Sequence, residues 1–495
     1  MPYESLRDFI SFLEQEKDLV RVKAQVSTVL EMTEIQTRLL AQGGPAVLFE
    51  KVVTENGVNN MPVLVNLFGT VKRVAFGLNS NVEQLKEIGE LLAFLRQPEP
   101  PGGWQELVDT LPIIRKALAS RPKNVSSAPC QEKVLLGDDI DLSFLPIQTC
   151  WPNEPAPLIT WPLVVTKGYN EIQEDKYNLG IYRMQVIGKD KTVMRWLKHR
   201  GGAVHSRTWA KKHKQMPAAV VIGADPATII AAVTPVPDNV SEYQFVGLLR
   251  GKRLKLVDCK TVPIKVPANA EIILEGYVDL ETYHDEGPYG DHTGYYNNVE
   301  QFPEFKITAI TMRNNPIYLS TFTGRPPDEP SILGEALNEV FIPLIKQQFP
   351  EIVDFWLPPE GCSYRIAVVS INKEYPGQAR RVMMGVWGFL RQFMYTKWII
   401  IVDADINCRD WKDVMWALAT KVDPVRDLSI IDNTPIDYLD FASEEAWLGS
   451  KIGIDATDKI YPETKRDWGR KIKMDTSIIE KVTSRWQEYG FSEDL

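Results

Sequence analysis

The chain has 495 residues, 44% hydrophobic and 24% charged, with a formal net charge of −9. That length and composition exclude a disordered or collagenous chain and predict two or three domains able to enclose a large cofactor. The acidic balance argues against nucleic-acid partners, which are held mainly by excess Lys and Arg, so an anionic ligand would need a local basic pocket.

The five cysteines, Cys130, Cys150, Cys259, Cys362 and Cys408, lack CxxC or Cys/His zinc spacing, as expected where thiols stay reduced. The segment from Met1 into the charged stretch 14–17 lacks the basic-then-apolar order of a signal peptide. The longest apolar stretch, 218–236, is broken by Asp225, Pro226 and Pro235 and cannot form a regular membrane span. A cytoplasmic protein is expected, with at most peripheral contact with a membrane.

In chain order, Leu6, Phe9, Ile10 and Leu13 recur at helical spacing, and the residues around Leu19, Arg21 and Lys23 alternate as a strand. A helix is predicted over 35–40, short buried strands over 46–49 and 62–67, and a helix over 82–95 ended by Pro98, Pro100, Pro101, Gly102 and Gly103. This predicts an N-terminal α/β region, residues 1–115. Between about 134 and 312 the texture changes to short β-rich runs, such as 163–166, 192–197 and 271–277, which predicts a barrel-like domain over 116–325. Asp225 followed by Pro226 marks a helix start inside it. Beyond Arg325 the alternation returns, with helices over 333–349 and 376–394 and strands over 365–371 and 398–402, giving a C-terminal α/β domain, 326–495. A closing helix over 476–487 suits either an oligomer contact or a simple terminus.

Several clusters can carry chemistry. Asn178 to Arg183, then Arg195-Trp196-Leu197, then His199-Arg200-Gly201-Gly202 bring arginines beside glycines, as in a small anion pocket; surface ion pairs are the plainer alternative. Glu242 follows the rigid run Pro235-Val236-Pro237-Asp238, and its carboxylate with the Asn178 amide oxygen suits Mn or Mg rather than zinc. In His284-Asp285-Glu286-Gly287-Pro288-Tyr289-Gly290-Asp291-His292, turn formers separate two carboxylates that could face one cavity and divide acid and base roles; His284 and His292 are proton handles or structural. The Thr321 to Pro330 loop reads as a connector that could also cover a pocket. The Met and aromatic stripe over 380–394 reads as core or as the wall of an apolar channel, and Asp403, Asp405 and Asn407 as a loop or a metal site.

Together the segments Asn-Leu-Gly-Ile-Tyr-Arg, Met-Arg-Trp-Leu, His-Arg-Gly-Gly, Pro-Val-Pro-Asp, Glu-Gly-Pro-Tyr-Gly-Asp-His-Thr-Gly-Tyr-Tyr, Thr-Gly-Arg-Pro-Pro-Asp-Glu-Pro and Asp-Tyr-Leu-Asp-Phe-Ala-Ser, in this order over almost the full length, resemble the UbiD family of decarboxylases. The resemblance implies an α+β and α/β multidomain fold: a central flavin-reductase-like split β-barrel flanked by an N-terminal α/β region and a C-terminal α/β domain. It implies prenylated FMN held by Ile181, Tyr182, Arg183, Arg195, Trp196, Leu197, Arg200 and Gly201. It further implies Mn or Mg on Asn178 and Glu242, and potassium near Glu242 and the backbone of Ala231, Ala232 and Thr234. Some family members place a metal-binding histidine where this chain reads Met194 to Leu197. The implied reaction is loss of CO2 from 3-polyprenyl-4-hydroxybenzoate in ubiquinone biosynthesis, by a homo-oligomer, a hexamer, that takes its cofactor from a flavin prenyltransferase. An aryl carbon that loses CO2 needs an electron sink, which a prenylated flavin provides. In that reading Arg183, held by Glu286, orients the substrate carboxylate, and Asp291, protonated at the moment of transfer and hence partly desolvated, delivers the replacing proton. An ordinary FMN oxidoreductase on the same barrel, or a silent scaffold, are the rival readings.

Overall fold

The computed structural model describes residues 3–96, 119–169, 176–197, 200–234, 236, 240–389 and 391–491. The Pro/Gly run at 98–103 and the expected boundary at 115 lie outside the described residues, as do His199, Pro235 and residues 237–239.

The first helix, Leu6–Gln15, begins at a capping box in which the Ser5 and Asp8 side chains each accept from the other's backbone N–H, and Leu6, Phe9, Ile10 and Leu13 share its buried face. Leu19–Ser27 then pairs in parallel with Ala46–Thr54 across the helix Glu31–Ala41. That sheet continues to Val63–Val65 and then to Tyr318–Leu319, from much later in the chain. The N-terminal region is therefore completed by a strand that follows the central one.

The central sheet has nine strands. Its order is Leu158–Ile159, Met184–Gly188, Lys191–Met194, Glu300–Met312, Ile272–Glu286, Gln215–Ile222, Leu163–Lys167 and Tyr177–Ile181, with Lys133–Leu136 added beside Glu300–Met312. All of its pairings are antiparallel. Tyr177–Ile181 ends this order on one side and Met184–Gly188 lies next to the other end, yet only Tyr182 and Arg183 separate them in the chain. Three Cα steps reach at most about 11 Å. The sheet must therefore curl into a half-barrel, helped by the register shifts at Glu275/Gly276 and Asp279/Tyr283 in its longest pair. Tyr182 and Arg183 occupy the seam.

The C-terminal sheet runs Ile352–Trp356, Ile366–Ile371, Trp398–Asp403, Leu448–Ala456 and Leu428–Pro435, parallel in the middle and antiparallel at both edges. The Met and aromatic stripe forms the helix Gln378–Phe389, whose Ala379, Val382, Met383 and Val386 are buried, so it is core packing. Asp403 is paired with Lys421, and Asp405 with Lys471 at 2.8 Å, so both acids are neutralised by lysine. The closing helix is Thr476–Ser484 with no buried residue. Among the described residues no helix is long and apolar enough to cross a membrane.

The helix Glu329–Gln348 joins the regions. Asp328 caps it by accepting from Ser331 N–H at 2.9 Å, while the fully buried Glu329 accepts from Phe68 N–H at 2.7 Å and from the Thr321 hydroxyl at 2.6 Å. Burial pushes the Glu329 carboxyl up to about 7, against the Thr321 and Phe68 hydrogen bonds and the nearby Arg73 charge. Its native pKa thus exceeds the ordinary value of 4.5, and between those pH values the folded chain holds a proton that the unfolded chain has lost. Stability should fall across this window as pH rises, by on the order of 3 kcal/mol in the limit of a buried, unscreened group. In Glu329→Gln the slope should flatten, which urea denaturation at a series of pH values will measure.

Candidate active site

Arg183 sits where the curled sheet meets itself. Its Nε donates to Glu286 Oε1 at 2.8 Å, Nη2 to Glu286 Oε2 at 3.2 Å and to Asn297 Oδ1 at 2.8 Å, and Nη1 to Asp291 Oδ2 at 2.8 Å. Glu286 is the last residue of Ile272–Glu286 and is fully buried. Gly287 follows with φ of 91°, a conformation other residues rarely adopt, and turns the chain so that Asp291 returns to the same guanidinium. The turn is braced from outside: Tyr289 lies under Arg183 with its ring centroid 5.3 Å away, the Thr323 hydroxyl donates to Gly290 O at 3.3 Å, and Trp151 Nε1 donates to Thr323 O at 2.8 Å. The 321–330 connector thus also supports the site.

Burial alone would raise the Asp291 pKa, but the Arg183 charge and then the His292 hydrogen bond hold it well below the usual carboxylate range. At rest this ion pair favours the ionised form of Asp291; the protonation expected of it concerns the moment of transfer.

The predicted cofactor segments converge beside this cluster. The Tyr182 hydroxyl accepts from Gly202 N–H at 3.1 Å and from Asn178 Nδ2 at 3.3 Å, and its ring meets Trp196 edge-on with centroids 6.3 Å apart. Asn178 lies so close to the next segment that a Cβ on Gly201 would stand 1.8 Å from its Oδ1, so a side chain there would displace the Asn178 amide. Arg200 is the exposed N-cap residue of the helix Gly201–Ala210 and its own side chain makes no capping hydrogen bond, while the Gly202 N–H is taken by Tyr182. Ile181 and Leu197 are half-buried.

Glu242 opens the helix Glu242–Arg250 behind a Ser241/Gln244 capping box, and its carboxylate accepts from Leu179 N–H at 3.0 Å, next to Asn178. Burial pushes this carboxyl up to about 7, because that N–H and the residue's own replace only part of its lost hydration. A cation beside it would restore its charge. Asn178 and Glu242 therefore fit a hard metal ion. Among the described residues no group of at least three His, Cys, Asp and Glu is placed to hold one, so the shell would need oxygens from phosphate or water. Ala231 ends the helix Pro226–Ala231, and Thr234, three residues on, donates its N–H to Ala231 O at 3.3 Å.

Arg195 carries the other telling feature. Its guanidinium lies between the rings of Phe302 and Tyr438, 5.7 and 5.4 Å away, and its Nε is 3.4 Å from Glu286 Oε2, yet its buried Nε and Nη2 make no hydrogen bond. Burial and then the charge of Arg183 lower its pKa, so an anionic ligand would be favoured here.

Sequence reasoning missed Asn297, whose Oδ1 accepts from Arg183 and also from Tyr289 N–H at 2.8 Å, and Arg365. Asp437 and Tyr438 stood in a quoted motif but received no role. Asp437 lies 3.3 Å from His292 and 3.1 Å from Arg365, and Tyr438 covers Arg195. Of the two histidines only His292 touches the site; His284 pairs with Glu304 at 2.8 Å along the long hairpin.

Family models match successive stretches of the chain: residues 10–92 the N-terminal, 123–326 the Rift-related and 331–456 the C-terminal domain of UbiD, described as 3-octaprenyl-4-hydroxybenzoate carboxy-lyase. The closed form of Sedimentibacter hydroxybenzoicus vanillic acid decarboxylase is similar with a TM-score of 0.84 at 28% identity, over 99% of this chain and 100% of that one. The open form of the same enzyme gives 0.79 at the same identity and coverage. The UbiD-class enzyme HmfF from Pelotomaculum thermopropionicum in complex with FMN gives 0.77 at 27% identity, over 97% of this chain and 99% of that one. With a half-barrel between two α/β regions and matches through all three, this chain belongs to the UbiD family.

Proposed function

We propose that this chain is a prenylated-FMN-dependent carboxy-lyase that converts 3-polyprenyl-4-hydroxybenzoate to 2-polyprenylphenol in ubiquinone biosynthesis. The observation that carries the reading is the buried Glu286–Arg183–Asp291 cluster in the barrel seam, flanked by Arg195 with unused donors. HmfF, with a related fold, has been solved with FMN and, in an evolved dimeric form, with prFMN, which supports the cofactor. The polyprenyl substrate rests on the description of the matched family models and on the motifs quoted above.

When bound, the prenylated flavin supplies the electron sink that an aryl carbon needs as CO2 departs. The first N–H groups of Gly201–Ala210 and the side chain of Arg200 suit its phosphate, and Asn178 and Glu242 would hold Mn or Mg beside that phosphate, with potassium near Ala231, Ala232 and Thr234. Ile181, Tyr182, Trp196 and Leu197 form the apolar side of the cofactor pocket in a flavin-reductase-like split barrel. Four of the five Arg183 N–H groups are taken by Glu286, Asp291 and Asn297, which fixes the guanidinium and leaves one donor for the substrate carboxylate. Asp291 is the group that delivers the replacing proton to the ring carbon. The C-terminal region stands over the site in the closed position, a reading supported by the higher similarity to the closed than to the open decarboxylase, 0.84 against 0.79.

We divide the chain into domains 1–115, 116–325 and 326–495 and read it as a homo-oligomer, a hexamer, with the exposed Ile478 and Ile479 of the terminal helix at a subunit contact. A flavin prenyltransferase supplies the cofactor, and the protein is cytoplasmic with peripheral access to membrane-borne substrate.

Chain co-expressed with a flavin prenyltransferase should carry the mass and absorption of prenylated FMN and release CO2 from 3-prenyl-4-hydroxybenzoate; plain FMN with NAD(P)H turnover would replace this reading with an oxidoreductase. Asp291→Asn should keep the chromophore and lose turnover by about a hundredfold or more; near-normal rates would remove Asp291 as the donor. Glu242→Ala should leave the fold intact while metal and chromophore are lost on purification, read by elemental analysis and absorbance.

A further inference from the structure

Each turnover that releases CO2 from a carboxylate puts one proton on the ring carbon. Asp291 cannot be its resting store, since its Oδ2 takes Arg183 Nη1 at 2.8 Å and the carboxylate is held ionised. The neighbouring group on its other oxygen is His292, whose Nδ1 lies 2.8 Å from Asp291 Oδ1. The opposite ring nitrogen, Nε2, lies 3.3 Å from Asp437 Oδ2, which is itself 3.1 Å from Arg365 Nη2. An imidazole with a carboxylate at each nitrogen satisfies both only when both nitrogens carry hydrogen.

Asp437 belongs to the segment after Leu428–Pro435 and reaches His292 from the C-terminal sheet, next to Tyr438, which covers Arg195. The other charges around the ring are Arg183 and Arg195 beyond Asp291, Arg365 beyond Asp437, and Asp328 at the cap of Glu329–Gln348. Burial pulls the His292 pKa down, but the hydrogen bonds to Asp291 and Asp437 outweigh it and hold it at about 9.

We propose that His292 is the positioning residue that stores the proton for Asp291, and that Asp437 keeps it loaded only while the C-terminal region is closed over the site. The proton moves from His292 Nδ1 to Asp291 Oδ1, and Asp291 passes it to the ring carbon, where the electron pair left by CO2 forms the new C–H bond. Neutral His292 then regains a proton from water. When the C-terminal region withdraws, Asp437 leaves Nε2 and the imidazole loses one of its two carboxylate partners. Release of product and loss of the proton store are thereby linked. This inference rests on the reading of Asp291 as donor.

The test uses full-length holoenzyme with isotope-labelled histidine; the chain has only five histidines, and His292→Gln assigns the signal. His292 should titrate near pH 9 in the wild type. In Asp437→Asn it should titrate lower by about one unit or more, because a charge that favours the imidazolium is gone. The alkaline limb of the kcat profile should move down by the same amount, and His292→Gln should lower kcat about a hundredfold with little change in KM. A His292 signal that is neutral at pH 7, or an alkaline limb unmoved in Asp437→Asn, overturns the proposal. Full turnover in Asp291→Asn would instead defeat the donor reading, while the histidine titration, which needs no turnover, would still report whether the clamp exists.

Discussion

A buried guanidinium between two carboxylates holds this site together. Removing charges from water costs several kcal/mol per ion, and the cost is recovered only where geometry and hydrogen bonds are nearly complete. Arg183 meets that condition with Glu286 on one side, Asp291 on another and Asn297 on a third, which together take four of its five N–H groups. Because Arg183 is one of two residues joining the ends of the curled sheet, the electrostatic demand and the curvature of the barrel are a single constraint. Moving the guanidinium would take the shared cation from both acids and leave Glu286 with Arg195 at 3.4 Å and Asp291 with His292 at 2.8 Å.

Acid and cation sites are kept apart by the same logic. Glu286 and Asp291 face arginine, whereas Glu242, on its own helix, meets backbone N–H groups and, among the described residues, has no cationic partner. An acidic chain can still hold a locally unbalanced cation: the buried Nε and Nη2 of Arg195 make no hydrogen bond although the whole molecule is not basic.

Much of this was legible in order along the chain. The spacing of Leu6, Phe9, Ile10 and Leu13 gave a helix whose buried face is those four residues, and Asp225-Pro226 gave a helix start, since both signals are local. The helix Gly201–Ala210 was not anticipated because it opens with two glycines, poor helix formers that are needed for close approach to Asn178 and Trp196. Leu428–Pro435 was missed because it is a half-exposed edge strand ending in Asp-Asn-Thr-Pro, which reads as a turn. Within the site, Arg183, Glu286 and Asp291 were marked by motif, and the geometry brings them together. His292 remained ambiguous because what decides its charge is Asp437, far away in sequence and delivered only by tertiary packing.

The two-residue joint at Tyr182 and Arg183 also bears on the order of assembly. The hairpins on either side of it pair locally, but Arg183 meets its acids across separations of 103 and 108 residues. Contacts that close such long loops form late, after the entropy of the intervening chain has been lost. A nascent or partly folded chain would thus own its strands before it owned a pocket, and a flavin of the kind proposed would find nothing to bind until the barrel had curled shut. Any ligand that binds the closed barrel alone would then act as a selective trap for completed molecules, drawing the population toward the native state by mass action.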